Sequence, residues 1–320
     1  MRKCLFCYQT LTEQGVDFHP SCSRKIFNQP VPPHLHFSGD EIEVLAAEVI
    51  RSRTAVTGVQ PKLSLHLFKD AGAKEHRFTM VGLWGGYILK PPTETWLQLP
   101  EVEDLTMHLA RIAKIPTVPH ALIRMSSGNL AYITKRIDRS GKGKLAIEDF
   151  CQLTERITED KYHGSHEQVA KGILKYSATS GLDLVRFFEL VLFSFITGNA
   201  DMHLKNFSLL EQPGLGMTLS PAYDLVNTAL VNPADNEELA LTLNGKKRKI
   251  DIQDFMTAMN GCNITEQQQQ NIFNKMAKSL PAWLEFIDMS FLSDDFKQKY
   301  KEIILQRMQG LFPNLAVVGT

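Results

Sequence analysis

The chain has no charge of either sign to spare: 35 Lys and Arg stand against 35 Asp and Glu, for a formal net charge of +0 at pH 7. A general nucleic-acid binder carries a basic excess, so any contact with DNA here is local or indirect. Cysteines are few and odd in number, five in 320 residues. That excludes a disulfide scaffold and fits a reducing compartment, with thiols or metal ligands in place of disulfides. No apolar run follows Met-Arg-Lys-Cys at the start, so no signal peptide is expected. The most apolar stretch, residues 182–196, is broken by Asp183, Arg186 and Glu189. Three charges are too costly for a bilayer centre, and the stretch reads as a buried helix of a cytoplasmic protein without membrane contact. Internal repeats and low-complexity tracts are also lacking.

What is present is ordinary globular material: 43% hydrophobic residues, 22% charged, 20 Gly and 15 Pro. So much apolar surface closes a large core, which rules out disorder and collagen. At about 150 residues per domain, the length suggests two domains or one domain of two lobes. Pro30, Pro32 and Pro33 separate a Cys/His segment from the rest. Residues 57–68 alternate, with Leu63, Leu65 and Leu67 on one face and Lys62, Ser64 and His66 on the other, which predicts a strand. Tyr87-Ile88-Leu89-Lys90, stopped by Pro91, and residues 129–137 predict two more. Helical spacing predicts a short helix at 41–51 and a longer one at 101–114. Beyond a polar stretch at 138–144, helices dominate at 182–197, 250–259, 266–280 and 294–312. A hairpin at 239–250, turning on Asn244-Gly245, interrupts them. The expected division is a Cys/His segment 1–30, a β-rich lobe 31–138 and a mostly helical lobe 139–320. The fold class is α+β.

The sharpest motif follows the apolar helix: Gly198-Asn199-Ala200-Asp201-Met202-His203-Leu204-Lys205-Asn206-Phe207. Asp201 and Asn206 have the Asp-x4-Asn spacing of a kinase catalytic loop. Phosphoryl transfer needs a carboxylate to orient the attacking hydroxyl and a neutral amide oxygen to hold Mg²⁺. Asp224, in Ser220-Pro221-Ala222-Tyr223-Asp224, is a second acid that could serve as the metal-binding carboxylate. The plainer reading is that Asp201 caps a helix and Asn206 fills a turn. Upstream, Lys90 closes a strand as the phosphate-binding lysine of kinases does, with Glu103 or Glu101 on the next helix to pair with it; a surface lysine and a helix-dipole acid are the bland alternatives. The loop Thr57-Gly58-Val59-Gln60-Pro61-Lys62 offers backbone amides to phosphates but lacks Gly-x-Gly-x-x-Gly. His203 reads as a packing histidine, and Lys205 either meets the γ-phosphate or is solvated. Near the start, Cys4-x2-Cys7 and His19-x2-Cys22 give four ligands at zinc-like spacing; filled by Zn²⁺ the site would be structural, and the alternative is three thiols in a small packed hairpin.

Several of these segments together resemble the HipA-type kinases: Thr57-Gly58-Val59-Gln60-Pro61-Lys62, Tyr87-Ile88-Leu89-Lys90-Pro91, Lys135-Arg136-Ile137-Asp138-Arg139, Glu148-Asp149-Phe150-Cys151-Gln152, the Gly198 loop, and Leu219-Ser220-Pro221-Ala222-Tyr223-Asp224-Leu225. The resemblance implies a two-lobed protein-kinase-like fold and a serine/threonine kinase toxin of a toxin–antitoxin system. The chain resembles the short HipT branch, which implies HipS-like and HipB-like antitoxin partners, with DNA reached only through an antitoxin. It also implies ATP-dependent phosphorylation of a protein, typically an aminoacyl-tRNA synthetase. On this likeness Asp201 orients the hydroxyl, Asn206 and Asp224 hold Mg²⁺, and Lys90 meets the ATP phosphates. Lys135, Arg136 and Ile137 would lie beside adenine and Asp138 near the ribose. Thr57 stands where the family is autophosphorylated; Ala55 occupies the other serine position of HipT, which predicts one regulatory hydroxyl with Thr54 as the nearby reserve. A small-molecule kinase and a catalytically silent antitoxin-binding protein are the rival readings.

Overall fold

A computed structural model describes residues 2–13, 15–35, 61–69, 76–81, 85–140 and 143–313. The helix expected at 41–51 and the loop carrying Thr57, Gly58, Val59 and Gln60 lie outside the described residues. The chain forms two compact units, one of Met1–Leu105, Val118–Arg139 and Met289–Leu292, the other of Thr106–Thr117, Ser140–Asp288 and Ser293–Thr320.

In the first unit, β1 (Leu63–Lys69), β2 (His76–Met80), β3 (Tyr87–Lys90), β4 (His120–Arg124) and β5 (Leu130–Lys135) form an antiparallel sheet in the order β2-β1-β3-β5-β4. The alternation of β1 places Leu63 and Leu65 in the core and leaves Lys62 and His66 exposed. Central β3 sets Lys90 opposite Tyr132 of β5 and ends at a proline, which cannot donate to a ladder. The Cys/His segment belongs to this unit. Its helix α1 (Pro20–Phe27) has Pro in the first turn and closes on Asn28 in the left-handed region, at φ 60. Phe27 meets Phe78 of β2 edge-on at 5.9 Å, and Tyr87 Oη donates to the Ile26 carbonyl at 3.0 Å. Helix α2 (Leu99–Ile112) begins here, with Val102 and Leu105 fully buried.

The second unit is mainly helical: α3 (Phe150–Leu153), α4 (His166–Tyr176), α5 (Ser180–Ile196), α6 (Thr228–Val231), α7 (Ile252–Gly261), α8 (Glu266–Met289) and α9 (Asp294–Leu311). It also holds an antiparallel sheet of β6 (Ile147–Asp149), β7 (Ser208–Gln212) and β8 (Gly216–Leu219), in the order β8-β7-β6. Helix α5 is the apolar segment of the sequence. Its one fully buried charge, Asp183, accepts from Ser177 Oγ at 2.6 Å, Thr179 Oγ1 at 2.9 Å and the Leu219 N–H at 2.8 Å. All three bonds fall on Oδ2, while Oδ1 faces Arg186 Nη1 at 3.6 Å, and a buried carboxylate is tolerated with such donors and a cation beside it. Among the described residues, no helix is long and apolar enough to cross a membrane.

Two expectations are corrected. The segment 239–250 is no hairpin ladder: Asn244 and Gly245 do turn with φ 48 and 75, but only the bridge Leu243↔Lys246 flanks them. Lys246 instead pairs with Asp254 at the start of α7, at 2.8 Å. Helix α8 does not stop near Leu280 but runs through Pro281 to Met289. Trp283 carries it across the proline, being fully buried with Nε1 donating to the Leu109 carbonyl at 2.8 Å.

Candidate active site

The Asp201 loop is built from the C-terminal end of α5 outward. Gly198 turns the chain with φ +71, where an added Cβ would lie 2.7 Å from Asn227 Oδ1. Thr228 Oγ1 donates to the Gly198 carbonyl and accepts the Ala200 N–H, at 3.1 and 2.8 Å. Asn199 Oδ1 accepts the Asp201 N–H at 3.1 Å. From the 3₁₀ turn Leu204–Asn206, the Asn206 Nδ2 donates to the Asp201 carbonyl at 2.9 Å. A carbonyl only accepts, so the amide is oriented with Nδ2 inward and Oδ1 on the opposite side, available as a ligand oxygen.

Tyr162 Oη donates to Asp201 Oδ1 at 2.6 Å. Tyr162 is 38% exposed, yet the partial loss of water around its hydroxyl and the Asp201 charge both push the phenol pKa up, so it stays a donor. Tyr162 also meets the His203 ring edge-on at 5.1 Å. His203 is buried, and burial lowers its pKa to about 4 against the pull of two carboxylates, Asp201 and Asp224. Both acids therefore act on one imidazole. Lys205 Nζ binds Asp149 Oδ2 at 2.8 Å, and Asp149 caps α3. Tyr223 Oη donates to the Lys205 carbonyl at 3.0 Å and is bonded to Ser208 Oγ at 2.5 Å. A phenol has a single hydrogen, so Ser208 must be the donor in the second bond. Asp224 follows directly, in the left-handed region at φ 61. Asp tolerates that region better than most side chains, but it is strained backbone of the kind found at functional sites.

The first unit carries the other named residues. Lys90 Nζ meets Glu103 Oε1 at 2.5 Å, with side chains 5% and 0% exposed. The choice left open between Glu101 and Glu103 falls on Glu103; Glu101 is instead pushed up to about 7, first by burial. Lys90 also lies over the Tyr132 ring, 5.4 Å from its centroid. Asp138 is forked by Arg136, with Nε at 3.0 Å and Nη2 at 2.8 Å, and takes Arg139 Nη1 at 2.7 Å. Burial pushes its carboxyl up, but these guanidinium groups prevail and hold it below its ordinary value. Lys135 Nζ reaches Asn28 Oδ1 at 3.4 Å, Ile137 is half-buried and Lys62 is exposed. Cys4, Cys7, His19 and Cys22 come together at the N-terminus, each ligand atom within 4.8 Å of the others.

The structure thus gathers Asp201, His203 and Asn206 in one loop, with Asp224 in electrical reach of His203, and pairs Lys90 with Glu103 in the other unit. Sequence reasoning missed Tyr162, Asp149 and Tyr223. Asp149 stood in a quoted motif without a role; nothing in the polar run around Tyr162 marks it.

A model of the family described as HipA-like C-terminal domain matches residues 54–284. A Sinorhizobium fredii protein named "Putative kinase Y4dM" is 32% identical over 201 residues, 59% of this chain and 48% of its own. The serine/threonine-protein kinase toxin HipA of Shewanella oneidensis is 25% identical over 289 residues, 81% of this chain and 64% of its own. The chain thus spans from about half to under two thirds of the length of these curated relatives. The solved complex of Shewanella oneidensis HipA with HipB and operator DNA contains a chain of similar fold, with a TM-score of 0.68 at 22% identity over 86% of this chain and 73% of that one. The Helicobacter pylori proinflammatory kinase CtkA gives a TM-score of 0.55 at 14% identity, over 78% of this chain and 93% of that one. The fold is kinase-like, with one sheet-rich and one helical part. A sheet ending in a buried lysine–glutamate pair, an Asp-x4-Asn loop closed on itself, and a family match across both make this chain a member of the HipA-like C-terminal domain family.

Proposed function

We propose that this chain is a serine/threonine protein kinase: it transfers the γ-phosphoryl group of ATP to a hydroxyl of another protein, as a HipT-like toxin. The observation that carries the reading is the Asp201 loop. Asn206 is oriented by the Asp201 carbonyl, and Tyr223, the residue before Asp224, bonds through Oη to the carbonyl of Lys205, the residue before Asn206. An amide oxygen beside carboxylate oxygens is a hard donor set that suits Mg²⁺. When bound, Mg-ATP supplies the phosphoryl group and offsets its charge.

The roles of the protein groups follow from this. Asp201 orients and accepts the proton of the attacking hydroxyl. Asn206 and Asp224 would hold the metal. Lys90, kept in place by Glu103, would meet the ATP phosphates. His203 stays neutral at physiological pH and serves as packing. Lys205, held by Asp149, lends positive charge beside the loop. Lys62 and the backbone of Gly58, Val59 and Gln60 would contact phosphates, and Lys135, Arg136, Ile137 and Asp138 the nucleoside. Thr57 is the regulatory hydroxyl; its phosphate would add about −1.5 to −2 charges at pH 7 to a loop that has to cover other phosphates. The HipB-bound relative supports an antitoxin partner of HipB type, with a HipS-like partner and an aminoacyl-tRNA synthetase substrate drawn from the HipT likeness.

The test is transfer of radiolabel from γ-labelled ATP in a cell lysate. A labelled protein band is expected, and Asp201→Asn should weaken it roughly 10²–10⁴-fold. Label appearing in a metabolite instead would establish the small-molecule kinase, and no turnover at all the silent binder. Intact mass after incubation with ATP should show one phosphate on the native chain and none on Thr57→Ala.

A further inference from the structure

Four side chains of the first unit have no part in that chemistry. Cys7 Sγ and Cys22 Sγ stand 3.5 and 3.9 Å from His19 Nδ1, and all four ligand atoms of the cluster lie within 4.8 Å of one another. With metal–sulfur bonds of about 2.3 Å and metal–nitrogen bonds of about 2.0–2.1 Å, tetrahedral zinc spaces its ligands by roughly 3.5–3.8 Å. The two cysteine–histidine separations lie close to these dimensions, and no pair of ligand atoms is farther apart than 4.8 Å. The other nitrogen of His19, Nε2, is 3.2 Å from the Thr10 carbonyl. A carbonyl only accepts, so Nε2 carries the hydrogen and Nδ1 turns its lone pair to the sulfurs, as in a metal-bound histidine whose other ring N–H is held by a carbonyl. Cys4 Sγ accepts the backbone N–H of His19 at 3.5 Å, a bond that strengthens if the sulfur is a thiolate.

The cluster is tied to the part of the unit that carries Lys90 and Glu103. Tyr8, directly after Cys7, is held in the left-handed region at φ 64. It is buried, and its Oη donates to Asp104 Oδ2 at 2.7 Å. Asp104 Oδ1 meets His120 Nδ1 at 2.6 Å. Asp104 is the neighbour of Glu103 on α2. On the other side of the turn, the Leu5 carbonyl accepts the Leu122 N–H of β4 at 3.1 Å.

We infer that Cys4, Cys7, His19 and Cys22 bind one structural zinc ion, and that this ion, through the turn at Tyr8 and its bond to Asp104, fixes the start of α2 and with it Glu103. Four protein ligands fill a tetrahedral site and leave no position for water, so the metal shapes the fold and takes no part in turnover. Without it, three buried or half-buried sulfurs and an imidazole face one another with no charge between them, and the turn that aims Tyr8 loses its anchor.

The experiment uses the full chain, purified without an affinity tag from zinc-supplemented medium. Elemental analysis should give one zinc per chain, and cobalt exchanged into the site should show the visible absorption of tetrahedral thiolate coordination. His19→Cys, which keeps four ligands, should retain stoichiometric metal with a shifted cobalt spectrum, whereas Cys22→Ser should lose it. Hydrogen exchange reads the coupling: chelation should speed exchange of the Val102–Leu105 amides about tenfold, and Tyr8→Phe should do the same while zinc stays bound. No stoichiometric metal, or a mass lower by two hydrogens that marks a disulfide, overturns the zinc site. Unchanged α2 exchange after chelation overturns the coupling. The loss of phosphate transfer expected on chelation rests on the proposed kinase activity, but the metal and exchange measurements do not, so the two ideas fail separately.

Discussion

Asp201 has two carboxylate oxygens, and Tyr162 occupies one of them at 2.6 Å. A substrate hydroxyl would use the other, so the tyrosine fixes the plane of the carboxylate and thereby the direction in which the second oxygen points. On the proposed kinase reading, Tyr162 is a positioning residue. Tyr162→Phe keeps the ring against His203 and removes only the bond, whose net worth to a charged acceptor is about 1.5–3 kcal/mol. We expect kcat for phosphate transfer to fall roughly tenfold, the effect of about 1.4 kcal/mol in the barrier, with KM for ATP unchanged. A kcat at or above the native value would mean that the phenol merely occupies the site. Asp201 and Asn206 were readable from their spacing because local geometry requires it: Nδ2 of one must reach the carbonyl of the other within a single turn. Tyr162 comes from 39 positions upstream, where no pattern links it to the acid.

Elements were legible in proportion to their periodicity. Strands β1 and β3 and helices α5 and α9 follow from alternation or helical spacing, because each buries one face or, for α5, nearly all of itself. Helix α4 was missed although Ser165 and Gln168 form a capping box, since its apolar positions are spread thinly among charges. Strand β4 is five residues long and nearly all buried, too short to show a period. Between elements, the pair of Lys90 on β3 and Glu103 on α2 is almost wholly removed from water. Removing one partner of such a pair strands a buried charge and costs about 3–5 kcal/mol, whereas replacing both with apolar groups is often neutral. Glu103→Ala should therefore lower stability in urea titrations by about that amount, and the double variant Lys90→Met/Glu103→Leu should recover much of it. A single variant as stable as the native chain would show that the lysine finds another partner at no cost.

For the whole molecule, pH dependence exposes what each unit buries. In the second unit His166 is fully buried, and both ring nitrogens lack a hydrogen-bond partner among the described residues. The ring is set between Phe187 and Phe207 at 6.0 and 5.9 Å. Burial pushes its pKa down to about 3 from the ordinary 6.5. At pH 5 the unfolded chain therefore binds a proton at this position that the folded chain refuses. Its contribution is complete above pH 6.5 and is lost as pH falls towards 3, at up to about 1.4 kcal/mol per pH unit. His203, lowered to about 4 by burial, acts in the same direction. Glu101 in the first unit opposes them: raised to about 7 by burial, it favours the folded state below pH 4.5 and withdraws that support as pH rises through 7. The histidines are two against one and their span is wider, so acid should destabilise the second unit first. His166→Leu, close in volume and without polar atoms, removes the larger of the two histidine contributions. In urea titrations at pH 7.5, 6 and 5, its stability advantage over the native chain should be small at 7.5 and grow by about 1 kcal/mol or more by pH 5. A gap that stays constant with pH would mean that His166 takes up its proton as readily in the fold as in the unfolded chain, and that a charge is tolerated between those two phenyl rings.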